Sequence, residues 1–301
     1  MAAGLNPRVN LLHELRLRSR RFKRSRKRLR SFRRADVVLV SYPKSGRTWL
    51  SVMLSHLVHI KFGTPAEALI STSEFRRNYP HLLQFFLTAD DFAPRGMTDR
   101  AKLELYKARK VILLVRDPRD VAVSHYYQLS KRVRPIERAV LEIPDHLECM
   151  SLFDFVCDES VGLPQIINWL NYWEAQINEI PQSLMLTYEE LRVDTPRVLG
   201  EVARFVGWDC SAEEIAAAVD FASFDKLRGL ERQHFFRSDR MRPGNTADPN
   251  SYKVRRGKVG GYQDDFSPEQ LAEIDALVVA GLSPSLGYSE PSVAGGARST
   301  E

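Results

Sequence analysis

Residues 38–50 read VLVSYPKSGRTWL: a β-branched apolar run, a short loop with Lys44, Ser45 and Gly46, and the start of an apolar-periodic helix. A strand that turns so directly into a helix leaves the chain little choice of local path. It aims several backbone N–H groups and the positive end of the helix dipole at one point, which suits a phosphate or sulfate. Gly46 lets the backbone approach the anion with no Cβ in the way. Lys44 adds a mobile point charge, Arg47 a second cation, and Ser45 and Thr48 hydroxyl donors. The nucleotide-triphosphate form of such a loop, G-x-x-x-x-G-K-[ST], is not present.

A second segment, residues 109–124, reads RKVILLVRDPRDVAVS. Val111–Val115 is a continuous apolar run, as expected of a strand buried on both faces of a parallel sheet. Asp117 and Pro118 occupy the N-cap and N1 positions of a following helix. Arg116 therefore falls at the carboxyl end of a strand, the edge where doubly wound sheets bind ligands, and Ser124 lies about two turns into the helix. An ion pair with Asp117 or Asp120 is the plain alternative for Arg116. A third segment, YKVRRGKVGG at 252–261, sets two adjacent arginines among glycines. Fork-shaped donors on a flexible backbone fit a dianionic phosphate.

These three segments, in this order and over about 220 residues, resemble the signature of sulfotransferases that use PAPS, 3′-phosphoadenosine 5′-phosphosulfate. Tyr42-Pro43-Lys44-Ser45-Gly46 with Thr48-Trp49 matches the family's 5′-phosphosulfate loop. Arg116 with Ser124 eight residues on matches its 3′-phosphate motif. Arg255, Arg256, Gly257 and Gly260 match the C-terminal R-K-G-x-x-G segment, with Arg in place of Lys and the following aromatic moved to Tyr262. The resemblance also puts a cofactor-contacting Tyr at Tyr188, at the end of the strand in LMLTYEEL, and an adenine-packing Phe at Phe224 in ASFDKL. Trp49 would supply the other aromatic face.

The resemblance implies an α/β fold: a single P-loop-like domain with a central parallel sheet flanked by helices on both faces. It implies a sulfotransferase moving a sulfuryl group from PAPS to a hydroxyl or amine of an organic acceptor, small molecule, carbohydrate or lipid, and releasing PAP. No metal is required. Lys44 would meet charge developing on the bridging oxygen, Thr48 and the loop N–H groups would hold the 5′-phosphate, and Arg116, Ser124, Arg255 and Arg256 the 3′-phosphate. In the family a Ser at the place of Ser124 also holds the lysine back until an acceptor is bound. Segments 64–108 and 131–160 would form the acceptor pocket and its lids.

One position departs from the pattern. Family members carry a proton-accepting His between the first two motifs, in a stretch like F-T-H-D-D; here the residues are Leu87-Thr88-Ala89-Asp90-Asp91. Asp90 and Asp91 are therefore candidate bases, with His81 a further one. The alternatives are a PAP(S)-binding protein with weak or no turnover and, less well supported, a nucleotide or small-molecule kinase.

The ends of the chain differ from its middle. Residues 1–34 hold thirteen Lys or Arg against one acid, so the +6 of the whole chain leaves −6 for residues 35–301. Such a run is expected to form a helical or disordered arm outside the domain at 35–282. Its ligand is open between an anionic membrane surface, reached through residues 16–34, and nucleic acid, which is disfavoured; a solvated extension is the third reading. A polar tail over 283–301 is expected to be disordered. The longest apolar stretches run five to six residues, too short for a membrane span, and the start lacks a secretory h-region. Cys149, Cys157 and Cys210 are scattered singly, and His56 and His59 have no third ligand nearby. The expected location is cytoplasmic, with peripheral membrane contact through the arm.

Overall fold

The computed structural model describes residues 7–288 apart from positions 95, 134, 142, 144–146, 148, 239 and 240. In chain order the elements are α1 (Pro7–Arg33), β1 (Val37–Val40), α2 (Arg47–Phe62), α3 (Ser73–Asn78), β2 (Phe85–Thr88), α4 (Asp99–Lys107), β3 (Lys110–Val115) and α5 (Pro118–Lys131). They continue with α6 (Pro135–Leu141), α7 (Leu152–Cys157), α8 (Leu163–Ile177), β4 (Ser183–Thr187), α9 (Tyr188–Val193), α10 (Thr195–Val206), α11 (Ala212–Phe221), α12 (Phe224–Arg232) and α13 (Pro268–Gly281).

The four strands are parallel and ordered β2-β1-β3-β4. Val38 pairs with Phe86 on one side and Val111 on the other. Alternate side chains point to opposite faces. Val38, Val40, Val111, Leu113 and Val115 enter one apolar core with residues of α5, α8 and α13. Val37, Leu39, Ile112 and Leu114 enter a second core with residues of α2, α10 and α11. A sheet covered on both faces explains the unbroken apolar runs.

Local signals set the helix ends. Gly63 closes α2 in the left-handed conformation, at φ 66°. The Asp117 side chain accepts from the Arg119 N–H with Pro118 at the first turn of α5, and Ser267 and Gln270 form a reciprocal cap at α13.

The basic segment folds as helix α1, and its last turns belong to the core. Phe32 is fully buried, stacked on Phe92 at 3.9 Å and edge-on to Phe86 and Tyr106. Arg28 lies over the Phe86 ring and pairs with Asp91 at 2.6 Å. An arm outside the domain therefore describes only the exposed face of α1, which among the described residues carries nine basic side chains between Arg16 and Arg33. At the other end the expected disordered tail starts too early. Leu286 and Tyr288 are buried, and Tyr288 donates to Glu189 at 2.6 Å. Residues 289–301 lie outside the described residues.

Candidate active site

A cavity of about 350 Å³ opens beyond the carboxyl ends of β1, β3 and β4. The strand order reverses direction between β1 and β3, the place where open α/β sheets hold ligands. Its floor is the loop from β1 into α2. Lys44 and Gly46 both take left-handed backbone conformations, at φ 77° and 95°, and no side chain caps the first turn of α2. The N–H groups there are left to an external anion. Lys44, Gly46, Arg47, Thr48 and Trp49 line the cavity. Ser45 does not; it is buried beneath the loop with its Oγ unpartnered. Arg47 is turned partly away, donating to the Ser41 carbonyl.

Lys44 has no carboxylate partner among the described residues, and its ammonium is held well below the ordinary lysine value. Burial is the main cause, followed by the charges of Lys253, Arg132, Arg116 and Arg255. A cation in that setting is stabilised by whatever negative charge enters the cavity.

Arg116, just after β3, makes the ion pair that was its plain alternative and also lines the cavity. Its Nη2 pairs with Asp120 at 3.0 Å and also donates to the Lys258 carbonyl. Its Nη1 reaches the Lys44 carbonyl, the guanidinium lies 4.2 Å from the Tyr188 ring centroid, and Nε is buried without a partner. Asp120 also accepts the N–H groups of Gly260 and Tyr262, so one carboxylate ties the second motif to the third. Burial pushes its carboxyl up, and Arg116 draws it back. Of the two carboxylates the sequence offered Arg116, the pair goes to Asp120, at i+4 on the helix, and not to Asp117.

The two arginines of the third motif part ways. Arg255 lies over the Tyr127 ring at 4.3 Å and leaves a buried Nη1 unpartnered. Arg256 is exposed and held in two hydrogen bonds by Asp265, at 2.9 and 3.0 Å. Both line the cavity, with Gly257. A Cβ on Gly257 would stand 3.0 Å from Phe224.

Trp49, Tyr188 and Phe224 form the aromatic part of the wall. Trp49 Nε1 donates to the Ala222 carbonyl at 2.9 Å, which fixes its plane, and its ring meets Tyr188 edge-on. Tyr188 opens α9 rather than ending β4, which stops at Thr187, one residue earlier than the strand reading had it. Ser124 lines the wall from α5, and Leu129, Val133 and Leu141 make an apolar end.

Asp90 and Asp91 do not line the cavity. Asp90 accepts from Lys102 at 2.8 Å and from Tyr106 at 3.0 Å; Asp91 is held by Arg28 and lies within 3.7 Å of Arg24. Each is spent on an ion pair that fastens β2 to its neighbours, α4 in one case and α1 in the other. His81 is exposed and likewise outside the lining. Among the described residues none of 64–108 lines the cavity, because β2 and α4 within that stretch build the sheet edge instead. Among the described residues of 131–160, Val133 and Leu141 reach it.

Arg192, Lys253 and His125 are lining residues that the sequence reading missed. Among the described residues eight lining side chains are Lys or Arg and one, Asp120, is acidic. Such a field fits a ligand with several negative charges. The unpartnered Arg116 Nε and Arg255 Nη1, and a loop with no room for a side chain at Gly46, fit the two phosphate ends of a 3′,5′-bisphosphorylated nucleotide, and the aromatic wall fits its base. No cluster of His, Cys, Asp or Glu suited to a metal occurs among the described residues.

Comparison with known proteins supplies the family. The family model "Sulfotransferase domain" matches residues 34–282. Cytosolic sulfotransferase 17 of Arabidopsis thaliana is 28% identical over 267 residues, covering 81% of this chain and 73% of its own. Flavonol 3-sulfotransferase of Flaveria bidentis is 27% identical over 269 residues, covering 81% and 80%. A mouse sulfotransferase, SULT7A1, solved in complex with PAP, superposes with a TM-score of 0.56 over 82% of this chain and 84% of its own, at 23% identity. That last likeness speaks to the fold alone. The chain belongs to the sulfotransferase family.

Proposed function

We propose that this chain transfers a sulfuryl group from PAPS to a hydroxyl or amine of an organic acceptor and releases PAP. The observation that carries it is the cavity wall: eight basic side chains and one carboxylate around a strand-to-helix turn, with aromatic rings beside it. Thr48 and the N–H groups at the start of α2 hold the 5′-phosphate. Arg116 Nε and Arg255 Nη1 take the 3′-phosphate, with Ser124 beside them, while Arg256 contributes long-range charge from its pair with Asp265. Trp49 and Phe224 sandwich the adenine, contacts worth about 1–3 kcal/mol per base.

Sulfuryl transfer proceeds in line through a loose transition state, so position and charge dominate. Lys44 faces the bridging oxygen that gains charge as its bond to sulfur breaks. The acceptor lies toward Leu129, Val133 and Leu141, which suits an apolar alcohol or phenol. The Flaveria relative is named for a flavonol. A cytoplasmic setting follows the name of the Arabidopsis relative; among the described residues no helix is long and apolar enough to cross a membrane. The exposed face of α1 meets an anionic surface, for which its nine described cations and the outward Phe22 are suited.

Incubation with PAPS carrying radiolabelled sulfur and a panel of phenols, alcohols and amines should move label to at least one acceptor. PAP should inhibit and ATP should not. ATP competing as well as PAP, with phosphate transferred instead, would establish the kinase reading.

A further inference from the structure

The third motif reaches the cavity from a loop, and a loop holds an arginine in place only where something holds the loop. We infer that Glu231 is a positioning residue for the 3′-phosphate: it fixes the backbone before Arg255 and so gives the cavity its preference for a nucleotide phosphorylated at that position. This role rests on the PAPS reading above.

Glu231 sits in the last turn of α12, outside the cavity lining, with a side chain that is 0% exposed. One carboxylate oxygen accepts the Lys253 N–H at 2.5 Å and Arg132 Nη1 at 3.2 Å. The other accepts the Val254 N–H at 3.2 Å. A buried carboxylate carries a desolvation cost that only well-placed donors offset, and two of these three donors belong to the backbone of the third motif. They fix the chain immediately before Arg255, whose guanidinium lies over Tyr127 with Nη1 buried and unpartnered. Further back on α12, Arg228 reaches the Arg255 carbonyl at 3.5 Å, a weaker tie.

Arg132, which ends α5, completes the seat. Besides Glu231 it donates to the Ser251 carbonyl and, at 2.9 Å, to the Arg242 carbonyl. Between those carbonyls the chain closes on itself: the Gly244 N–H donates to the Ser251 carbonyl at 3.2 Å, and Ser251 Oγ accepts the Asn245 N–H at 2.9 Å. A Cβ on Gly244 would stand 2.5 Å from the Lys131 carbonyl, so the neck of this loop lies directly against the end of α5. One buried ion pair thus joins three elements that each bring a residue to the cavity: α5 with Ser124, α12 with Phe224 and the loop with Arg255. Charge alone would act in the opposite sense. Removing a carboxylate beside a cavity lined by eight described cations strengthens the binding of any anion, whereas loosening the loop weakens the hold on the 3′-phosphate and spares the 5′ end.

The test is calorimetry of the full chain with PAP and with adenosine 5′-phosphosulfate, which lacks the 3′-phosphate. Glu231→Gln keeps the shape of the side chain but accepts through one atom only. It should weaken PAP by about tenfold, less than outright loss of a hydrogen-bonded charge, and change adenosine 5′-phosphosulfate by less than about threefold. Placed on Arg255→Ala, it should alter PAP affinity by less than about threefold, because the residue it acts through is gone. Arg132→Lys keeps a charge facing Glu231 and loses the fork that holds Ser251 and Arg242. It should show the same selective loss, and it decides the question where Glu231→Gln fails to fold. Equal weakening of both nucleotides, tightening of both, no change in either, or a loss that adds to that of Arg255→Ala overturns the inference. Wild-type chain that binds no PAP overturns the donor assignment itself, which separates the two failures.

Discussion

A Cβ on Gly46 would stand 2.6 Å from Cδ2 of Tyr188. Tyr188 is buried and carries Arg116 on its ring, so it cannot yield without moving the guanidinium. Gly46→Ala also puts a side chain at φ 95°, a conformation costing a non-glycine residue about 1–3 kcal/mol. The variant should fold with lowered stability and lose PAP binding by calorimetry; unchanged affinity would mean the loop does not hold the nucleotide.

Lys44→Met should abolish turnover and leave PAP affinity within about one order of magnitude, since its charge acts where the transition state develops negative charge. The free protein should gain stability, by about 1 kcal/mol, as a poorly solvated cation is removed from among others. The sign follows from linkage. Lys44 is held below its ordinary 10.5 in the folded chain, so the unfolded chain binds more protons and stability rises with pH up to that value. Urea midpoints of wild type should show this rise between neutral and alkaline pH, and Lys44→Met should show less of it.

Arg255→Ala should weaken PAP by about 2 kcal/mol, the range for truncating one partner of a hydrogen-bonded charge pair, and barely affect adenosine 5′-phosphosulfate, which lacks the 3′-phosphate. Arg116→Ala should cost affinity for both ligands and stability as well, because Asp120 would be left as a buried unpaired carboxylate. Parallel calorimetry with the two nucleotides separates the cases. Equal weakening by Arg255→Ala would remove that residue from the 3′-phosphate.

Deleting residues 1–34 should destabilise the domain by about 3–5 kcal/mol, the cost of removing a buried phenylalanine such as Phe32. Deleting only residues 1–15 should leave the unfolding midpoint unchanged. Replacing Arg16, Arg18, Arg20 and Lys23 by Glu should abolish salt-sensitive retention on phosphatidylserine vesicles with no loss of fold, since these side chains are exposed. Retention that survives the replacement would assign the binding to another surface.

The legible parts of the site were those written at element boundaries. Lys44 and Gly46, Arg116 with Asp117-Pro118, and Arg255 with Gly257 each sit where a strand or loop meets a helix or turn, and local chemistry fixes such places. Asp90 and Asp91 misled because a pair of carboxylates reads the same whether it faces a substrate or an ion pair. Their partners, Lys102 and Arg28, come from helices whose docking depends on long-range packing. Phe32 was hidden by charge: one aromatic in a basic run carries no periodic signal, and its partner Phe92 lies sixty residues on. His125 was in plain view beside Ser124, but which way a helix turns its polar residues is decided by the elements that cover it.

Tyr288 ties the site to the end of the fold. Its hydroxyl donates to Glu189, which also accepts the Asp117 N–H, and its carbonyl accepts from Arg119, itself paired with Asp117 and Asp275. These bonds brace both sides of the cavity, at Arg116 and Tyr188, with residues beyond the matched 34–282 span. During synthesis the turn at Lys44 emerges early, yet the bonds made by Tyr288 cannot form until that residue has left the ribosome. A chain ending after the third motif would therefore lack this brace while keeping the Asp120 bonds to Gly260 and Tyr262.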